Sequence, residues 1–152
     1  KGVAFCMDNY LLVDRDLAEC AALEKAAKQA YAQAGVSAAD IDVAEVHDCF
    51  TISGLLSLEA IGMADYGKAA SYVLDGNTRA DGACPTNMTG GLVGFGHPTG
   101  ATGVRQVGDM IRQLTDQAGD CQVRFTDGKP YAMSLNMGGN DKTLASFVMR
   151  AV

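Results

Sequence analysis

Gly90 to Gln106 reads GGLVGFGHPTGATGVRQ, and this stretch decides how the rest of the chain is understood. It holds His97, one of two histidines, in a run too rich in glycine to be ordinary core. Glycines at 90, 91, 94, 96, 100 and 103 permit positive φ and close backbone approach, and Pro98 biases His97 toward an extended conformation. Beyond them Val104, Val107, Ile111 and Leu114 recur at helical spacing. The loop therefore runs into an amphipathic helix, expected to end near Ala118 and Gly119, and His97 is presented at its entrance. On these residues alone, a lone histidine beside a glycine-rich turn is more readily a packing group than a chemical one.

Around this stretch, 152 residues with 48% hydrophobic and 20% charged content suffice for one domain with a real core, taken as 1–152. A formal net charge of -6 leaves no basic stripe, which argues against nucleic acid as a partner. No apolar run reaches the ~18 residues of a membrane span. The opening Lys1-Gly2-Val3 suggests a soluble piece of something longer. Cys6, Cys20, Cys49, Cys84 and Cys121 lie far apart without CxxC pairing, so a reducing compartment is expected. Neither histidine has a second ligand at zinc spacing, so no metal is expected. Cys6, Cys20 and Cys121 read most simply as small buried hydrophobes.

The pattern predicts strand, helix, strand, helix, loop, helix, strand, strand. Residues 2–6 form the first strand. Asp16 and Glu19 look like a reciprocal cap opening an alanine-rich helix through Ala34, which Gly35 terminates. Ser37 to Asp40 turn the chain, and Ile41 to Val46 make a short strand ending at the second histidine. Ile52 to Ile61 read as a helix burying Ile52, Leu55, Leu56 and Leu58. Turn signals from Gly62 to Cys84 mark a surface excursion. Tyr131 to Leu135 and Thr143 to Met149 complete an α/β layered domain. His47-Asp48-Cys49-Phe50 stands where a strand gives way to a helix, a place where α/β folds collect functional groups.

Three stations together resemble the thiolase superfamily. GHP followed by GATG is similar to that family's histidine loop, and Asn87-Met88-Thr89-Gly90-Gly91 resembles its N-x-S/T-G-G approach. His47-Asp48-Cys49-Phe50 stands where most members carry N-E-A-F and matches the H-D-C-F of the sterol-carrier-protein type. Leu135-Asn136-Met137-Gly138-Gly139 stands where most members carry C-x-G; asparagine replaces that cysteine, as in the same type. The likeness covers nearly the whole chain and corresponds to the C-terminal half of a thiolase.

The resemblance implies a thiolase-like layered α/β domain with a mixed sheet of about five strands covered by helices. It implies catalytic roles for His47, Cys49, His97 and Gly138. His47 and His97 would face one oxyanion position, and the Gly138 N–H would serve another. His97 would also activate an acyl-accepting cysteine, and Cys49 would move the proton at the substrate α-carbon. Asn136, Phe50 and Met137 would line the substrate. The implied reaction is acyl transfer between coenzyme A and a 3-oxoacyl-CoA, with coenzyme A as substrate and no covalently bound cofactor. The acyl-accepting cysteine belongs to the family's N-terminal half. Cys84 is closest to the histidine loop in sequence, but its matching position is not nucleophilic in the family. Implied partners are acyl-CoA, the N-terminal half, a second copy in a homodimer or homotetramer, and an OB-fold and zinc-ribbon protein of the kind that accompanies bacterial relatives. Two alternatives stay open, a retro-aldol lyase on CoA-linked side chains and a non-catalytic acyl-CoA-binding scaffold. The cytoplasm is the expected location, with peroxisome or mitochondrion as alternatives.

Overall fold

The computed structural model describes residues 1–152 except Tyr10, Leu17, Asp127 and Val152, and describes Leu12 by its backbone alone. Four strands form one mixed sheet in the order β1-β4-β3-β2, where β1 is Gly2–Met7, β2 Val43–Glu45, β3 Tyr131–Gly138 and β4 Thr143–Arg150. β4 pairs antiparallel with both β1 and β3, while β2 pairs parallel with β3. The α/β layered class holds, with four strands instead of about five. The outer edge of β2 carries only an isolated bridge from Ala44 to Thr86, because Pro85 has no N–H to continue a ladder.

One face of the sheet is apolar. Helix α1, Ala21–Ala34, lays Leu23, Ala26, Ala27, Ala30 and Tyr31 on Ala4, Cys6, Leu144 and Val148. Its alanines let it approach so closely that a Cβ at Gly2 would stand 2.1 Å from the Ala30 carbonyl oxygen. Its start corrects the expectation from Asp16 and Glu19. Asp16 accepts from the Ala18 N–H in a local turn, and the helix begins at Ala21. The free N–H groups of Ala22 and Leu23 are taken instead by the Asp141 carboxylate, at 3.1 and 2.9 Å. Asp141 comes from the β3–β4 turn, and Arg15 joins it to Asp8. Leu17, inside the expected helix, lies outside the described residues. Gly35 ends α1 with φ 74°, as its position suggested.

The opposite face is covered by α5, Thr102–Leu114, and here the periodicity misleads. Half of the stripe that announced the helix points outward, with Val104 75% and Ile111 51% exposed, while Leu114 packs against a small apolar cluster of Val43, Met110, Val123 and Ala132. Thr102, Gln106, Asp109, Met110 and Gln113 face the sheet instead. Met110 packs with Val43 and Ala132, and the polar members share this face of the sheet with Glu45 and Ser134, both buried. α5 also stops at Leu114, short of the expected end, before a 3-10 turn at Gly119–Cys121.

Smaller differences follow from the same competition between pattern and packing. Helix α2, Thr51–Ala60, buries Ser57 and Leu58 while Ile52 is exposed. The excursion after it contains a short helix α3, Ala69–Leu74, and the glycine-rich stretch folds into a five-residue helix α4, Gly91–Phe95. Cys6 is buried, but Cys20 and Cys121 are only half-buried. No described helix is long and apolar enough to cross a membrane.

Candidate active site

The parallel pair β2 and β3 brings the first two groups together. Glu45 stands opposite Ser134, so two residues further along each strand His47 meets Asn136 on the same sheet face. The side chain of Asn87 fixes the backbone just before the histidine, accepting from Val46 N–H at 2.8 Å and donating to Val46 C=O at 3.2 Å. Asn87 adopts φ 55°, a conformation asparagine tolerates better than most residues.

His47 is 3% exposed, and burial holds its imidazole below the usual histidine pKa, so it is neutral at pH 7. Two groups address its Nδ1, the Asn136 amide, placed with Oδ1 at 2.5 Å, and the Met137 N–H at 3.4 Å. The Met137 N–H can only donate, which places the lone pair on Nδ1 and the proton on Nε2. The Asn136 amide serves that tautomer when turned to present its NH2, an orientation equivalent in shape. His47 then offers Nε2–H as a neutral donor.

His97 receives the opposite setting. Its Nδ1 lies 2.7 Å from the Thr102 hydroxyl, whose own proton goes to the Pro98 carbonyl at 3.3 Å. The hydroxyl oxygen must therefore accept from His97 Nδ1–H, which leaves the lone pair on Nε2. Thr102 is 1% exposed and sits in the first turn of α5, so helix and tautomer are fixed together. The two imidazoles stand edge to face, 5.0 Å between centroids and 89° between planes.

Both rings open onto a cavity of about 450 Å³, lined also by Cys49, Phe50, Asn136, Met137 and Gly138. All seven residues singled out in the sequence thus reach one space, from the end of β2, the start of α2, the glycine-rich loop and the end of β3. The Cys49 thiol lies 3.8 Å from the Ser53 hydroxyl one helical turn on. Phe50 is 71% exposed and offers an apolar wall. Asp48 points the other way, accepting from the Leu92 N–H at 2.6 Å; a Cβ at Gly91 would stand 2.2 Å from this carboxylate. Glycine at 91 is therefore required by close approach as well as by its φ of 60°. Cys84 lies elsewhere, 2% exposed, its thiol pushed up to about 12 by burial and so inert as a nucleophile.

A family model described as "Thiolase C-terminal domain-like" matches residues 5–150. The chain belongs to this thiolase family. It is 41% identical over 131 residues to an acetyl-CoA acetyltransferase of Methanothermobacter thermautotrophicus, covering 86% of this chain and 33% of the relative. It is 39% identical over 115 residues to human sterol carrier protein 2, covering 76% of this chain and 20% of that protein. This thiolase domain therefore spans a third or less of those relatives. Among solved structures, an Ltp2-ChsH2(DUF35) aldolase superposes with a TM-score of 0.76 at 22% identity, over 97% of this chain and 37% of that one. A monomeric SCP2-thiolase-like protein type 1 from Mycobacterium smegmatis gives 0.69 at 18% identity, over 97% and 27%. These two likenesses concern the fold.

Four residues around this cavity were not singled out individually in the sequence. Thr102 carried a usable signal, a hydroxyl five positions after His97 in the first helical turn. Asn87 was noted only as part of a motif. Glu45 and Arg105, which meet below the histidines, have no local signature, because their partners come from distant elements.

Proposed function

We propose that this domain supplies the C-terminal part of a thiolase active site, catalysing acyl transfer between coenzyme A and a 3-oxoacyl-CoA. The observation that carries this reading is the pair of imidazoles set edge to face, 5.0 Å apart over one cavity. The lone pair on His97 Nε2 takes the proton of an acyl-accepting cysteine held by an N-terminal half. The thiolate adds to the 3-keto carbon, and His97, now carrying that proton, becomes a donor. As the carbon–carbon bond breaks, its electron pair passes to the thioester enolate, whose oxygen is held by His47 Nε2–H. The Cys49 thiol protonates the α-carbon. Coenzyme A then gives its thiol proton to the Cys49 thiolate and attacks the acyl-enzyme, the Gly138 N–H supporting the second oxyanion; the carbon–sulfur bond to the enzyme breaks, and the departing cysteine thiolate takes its proton back from His97. Asn136 orients His47, while Phe50 and Met137 border the acyl group. Names of relatives such as acetyl-CoA acetyltransferase favour transfer over cleavage by retro-aldol chemistry.

An N-terminal half is also the proposed occupant of the bare apolar side. Val93 and Phe95 of the histidine loop, Val104 and Ile111 of α5, and Val3, Phe5 and Met7 of β1 are all more than half exposed. Relatives about three times as long as this chain have the sequence to cover them. A homodimer or homotetramer, an OB-fold and zinc-ribbon partner, and action in the cytoplasm belong to the same proposal.

The test uses the full-length enzyme and measures acyl-enzyme formation from a simple acyl-CoA separately from overall thiolysis. Cys49→Ala is expected to lower thiolysis by about 10²–10⁴-fold while acylation persists, because only the carbon–carbon step needs a proton at the α-carbon. His97→Ala is expected to depress both. Unchanged thiolysis in Cys49→Ala would return this thiol to a packing role. Release of a carbonyl compound from a 3-hydroxyacyl-CoA without an acyl-enzyme would instead favour the lyase.

A further inference from the structure

Beneath the histidines lies a buried charged cluster that the chemistry above does not use. Arg105, in the first half of α5, places Nη1 3.1 Å from the Thr89 hydroxyl and 3.3 Å from Asp109 Oδ2, and Thr89 donates to the same Asp109 oxygen at 3.0 Å. These three groups close a triangle between α5 and the residue that opens the glycine-rich loop. The same guanidinium stacks over the Phe95 ring with 4.4 Å to its centroid, two residues before His97. Its Nη2 lies 3.6 Å from Glu45 Oε2, on the strand that delivers His47 two residues later. Glu45 is fully buried, and neither of its carboxylate oxygens has a hydrogen bond. One guanidinium thus touches the beginning of the histidine loop, its middle, and the strand opposite.

We propose that Arg105 is a positioning residue that braces the loop carrying His97 against the strand carrying His47 and so sets the spacing of the two imidazoles. This rests on the reading of both histidines as a working pair. The loop needs such a brace. Gly90, Gly91, Gly96 and Gly100 all adopt positive φ, and residues 93–101 are exposed, so local backbone preference and burial hold little of it in place. Thr102 anchors the loop at its end, through His97 itself. Arg105 anchors the approach. A lysine could keep the positive charge beside Asp109 and Glu45, but it lacks the planar fork that lets one group donate to Thr89 while lying flat on Phe95.

The experiment compares Arg105→Lys and Thr89→Val with the parent in the full-length protein. It records kcat and KM for acyl transfer, urea unfolding, and the imidazole nitrogen resonances of His97. For Arg105→Lys, kcat should fall about 10–100-fold with KM within about threefold, since a displacement near 1 Å costs about that much in rate. His97 resonances should shift or split in both variants, with the smaller effect in Thr89→Val. Two results would overturn the brace. One is native kcat and unmoved His97 resonances in both variants; the other is a kcat loss that merely tracks the fraction unfolded. If His97→Ala itself keeps full activity, the catalytic reading fails. The nitrogen resonances would still decide whether Arg105 holds the loop.

Discussion

Gly103→Ala should weaken the site although it strengthens the helix. Glycine inside α5 costs about 1 kcal/mol relative to alanine, so propensity alone predicts a more stable protein. A Cβ at Gly103, however, would stand 2.6 Å from the end of the Asn136 amide that faces away from His47 and 3.5 Å from its Cγ. The amide would have to retreat by about 0.8 Å to reach ordinary van der Waals contact. Retreat lengthens its bond to His47 Nδ1, now 2.5 Å. Overpacking of this kind costs about 1–3 kcal/mol, so the net change is a loss of about 0–2 kcal/mol. Losing a hydrogen bond worth about 1 kcal/mol would shift the His47 proton between Nε2 and Nδ1 by about fivefold. Urea unfolding measures the first quantity, nitrogen chemical shifts of His47 the second, and thiolysis by the full-length enzyme should fall about 10–100-fold. A variant about 1 kcal/mol more stable, with the His47 resonances and the rate unchanged, would refute the account.

Other outcomes follow from features already described. Burial pushes Glu45 up to about 8 against the pull of Arg105, with Asp109 and Asp48 adding to the rise. The native state therefore keeps a proton that the unfolded chain releases above the ordinary value of 4.5. Stability from this group is full below that value and is lost as pH climbs toward 8, at a slope of up to about 1.4 kcal/mol per unit. Glu45→Gln should flatten the decline, seen as a parent-minus-variant difference in urea unfolding between pH 5 and 8; identical slopes would show that Glu45 is ionised throughout. Asp141→Ala should cost about 1–3 kcal/mol, since it uncaps α1 and removes one of the two carboxylates paired with the largely buried Arg15, Asp8 being the other; a loss under ~0.5 kcal/mol would show that water replaces the carboxylate without penalty.

The residues that line the candidate site were more legible than the framework that holds them. His47, Cys49, His97 and Gly138 announced themselves because they sit in short motifs with fixed spacing, and glycine, proline and histidine leave strong local marks. Strand and helix order was likewise carried by periodicity. Periodicity failed where two layers compete for a helix. Val104 and Ile111 signalled an apolar face but could not say which side of α5 it occupies, and polar Gln106 and Gln113 took the buried side. The start of α1 failed for another reason. A plausible local cap at Asp16 lost to Asp141, more than a hundred residues away, and no windowed reading of the sequence connects them. The count of about five strands came from the resemblance alone; among the described residues the segment after Pro85 makes one bridge, Ala44 to Thr86, and no further ladder.

The pairing of β1 with β4 dictates when this domain can fold. The first strand completes its ladder only with the last, from Gly2 opposite Val148 to Met7 opposite Thr143, and the cap on α1 arrives with the turn between β3 and β4. At about 5–20 residues per second on the ribosome, the first strand waits roughly 7–30 s for its neighbour. During that interval Leu23, Tyr31 and the alanine face of α1 have no sheet to cover them. Closing so long a loop adds little to the equilibrium cost, because the entropy grows only logarithmically with length, but it delays the rewarding contacts until β4 has been made. The nascent chain is thus a natural client for holdase chaperones until its final strand emerges, and truncation within β4 should leave an insoluble product instead of a smaller folded one.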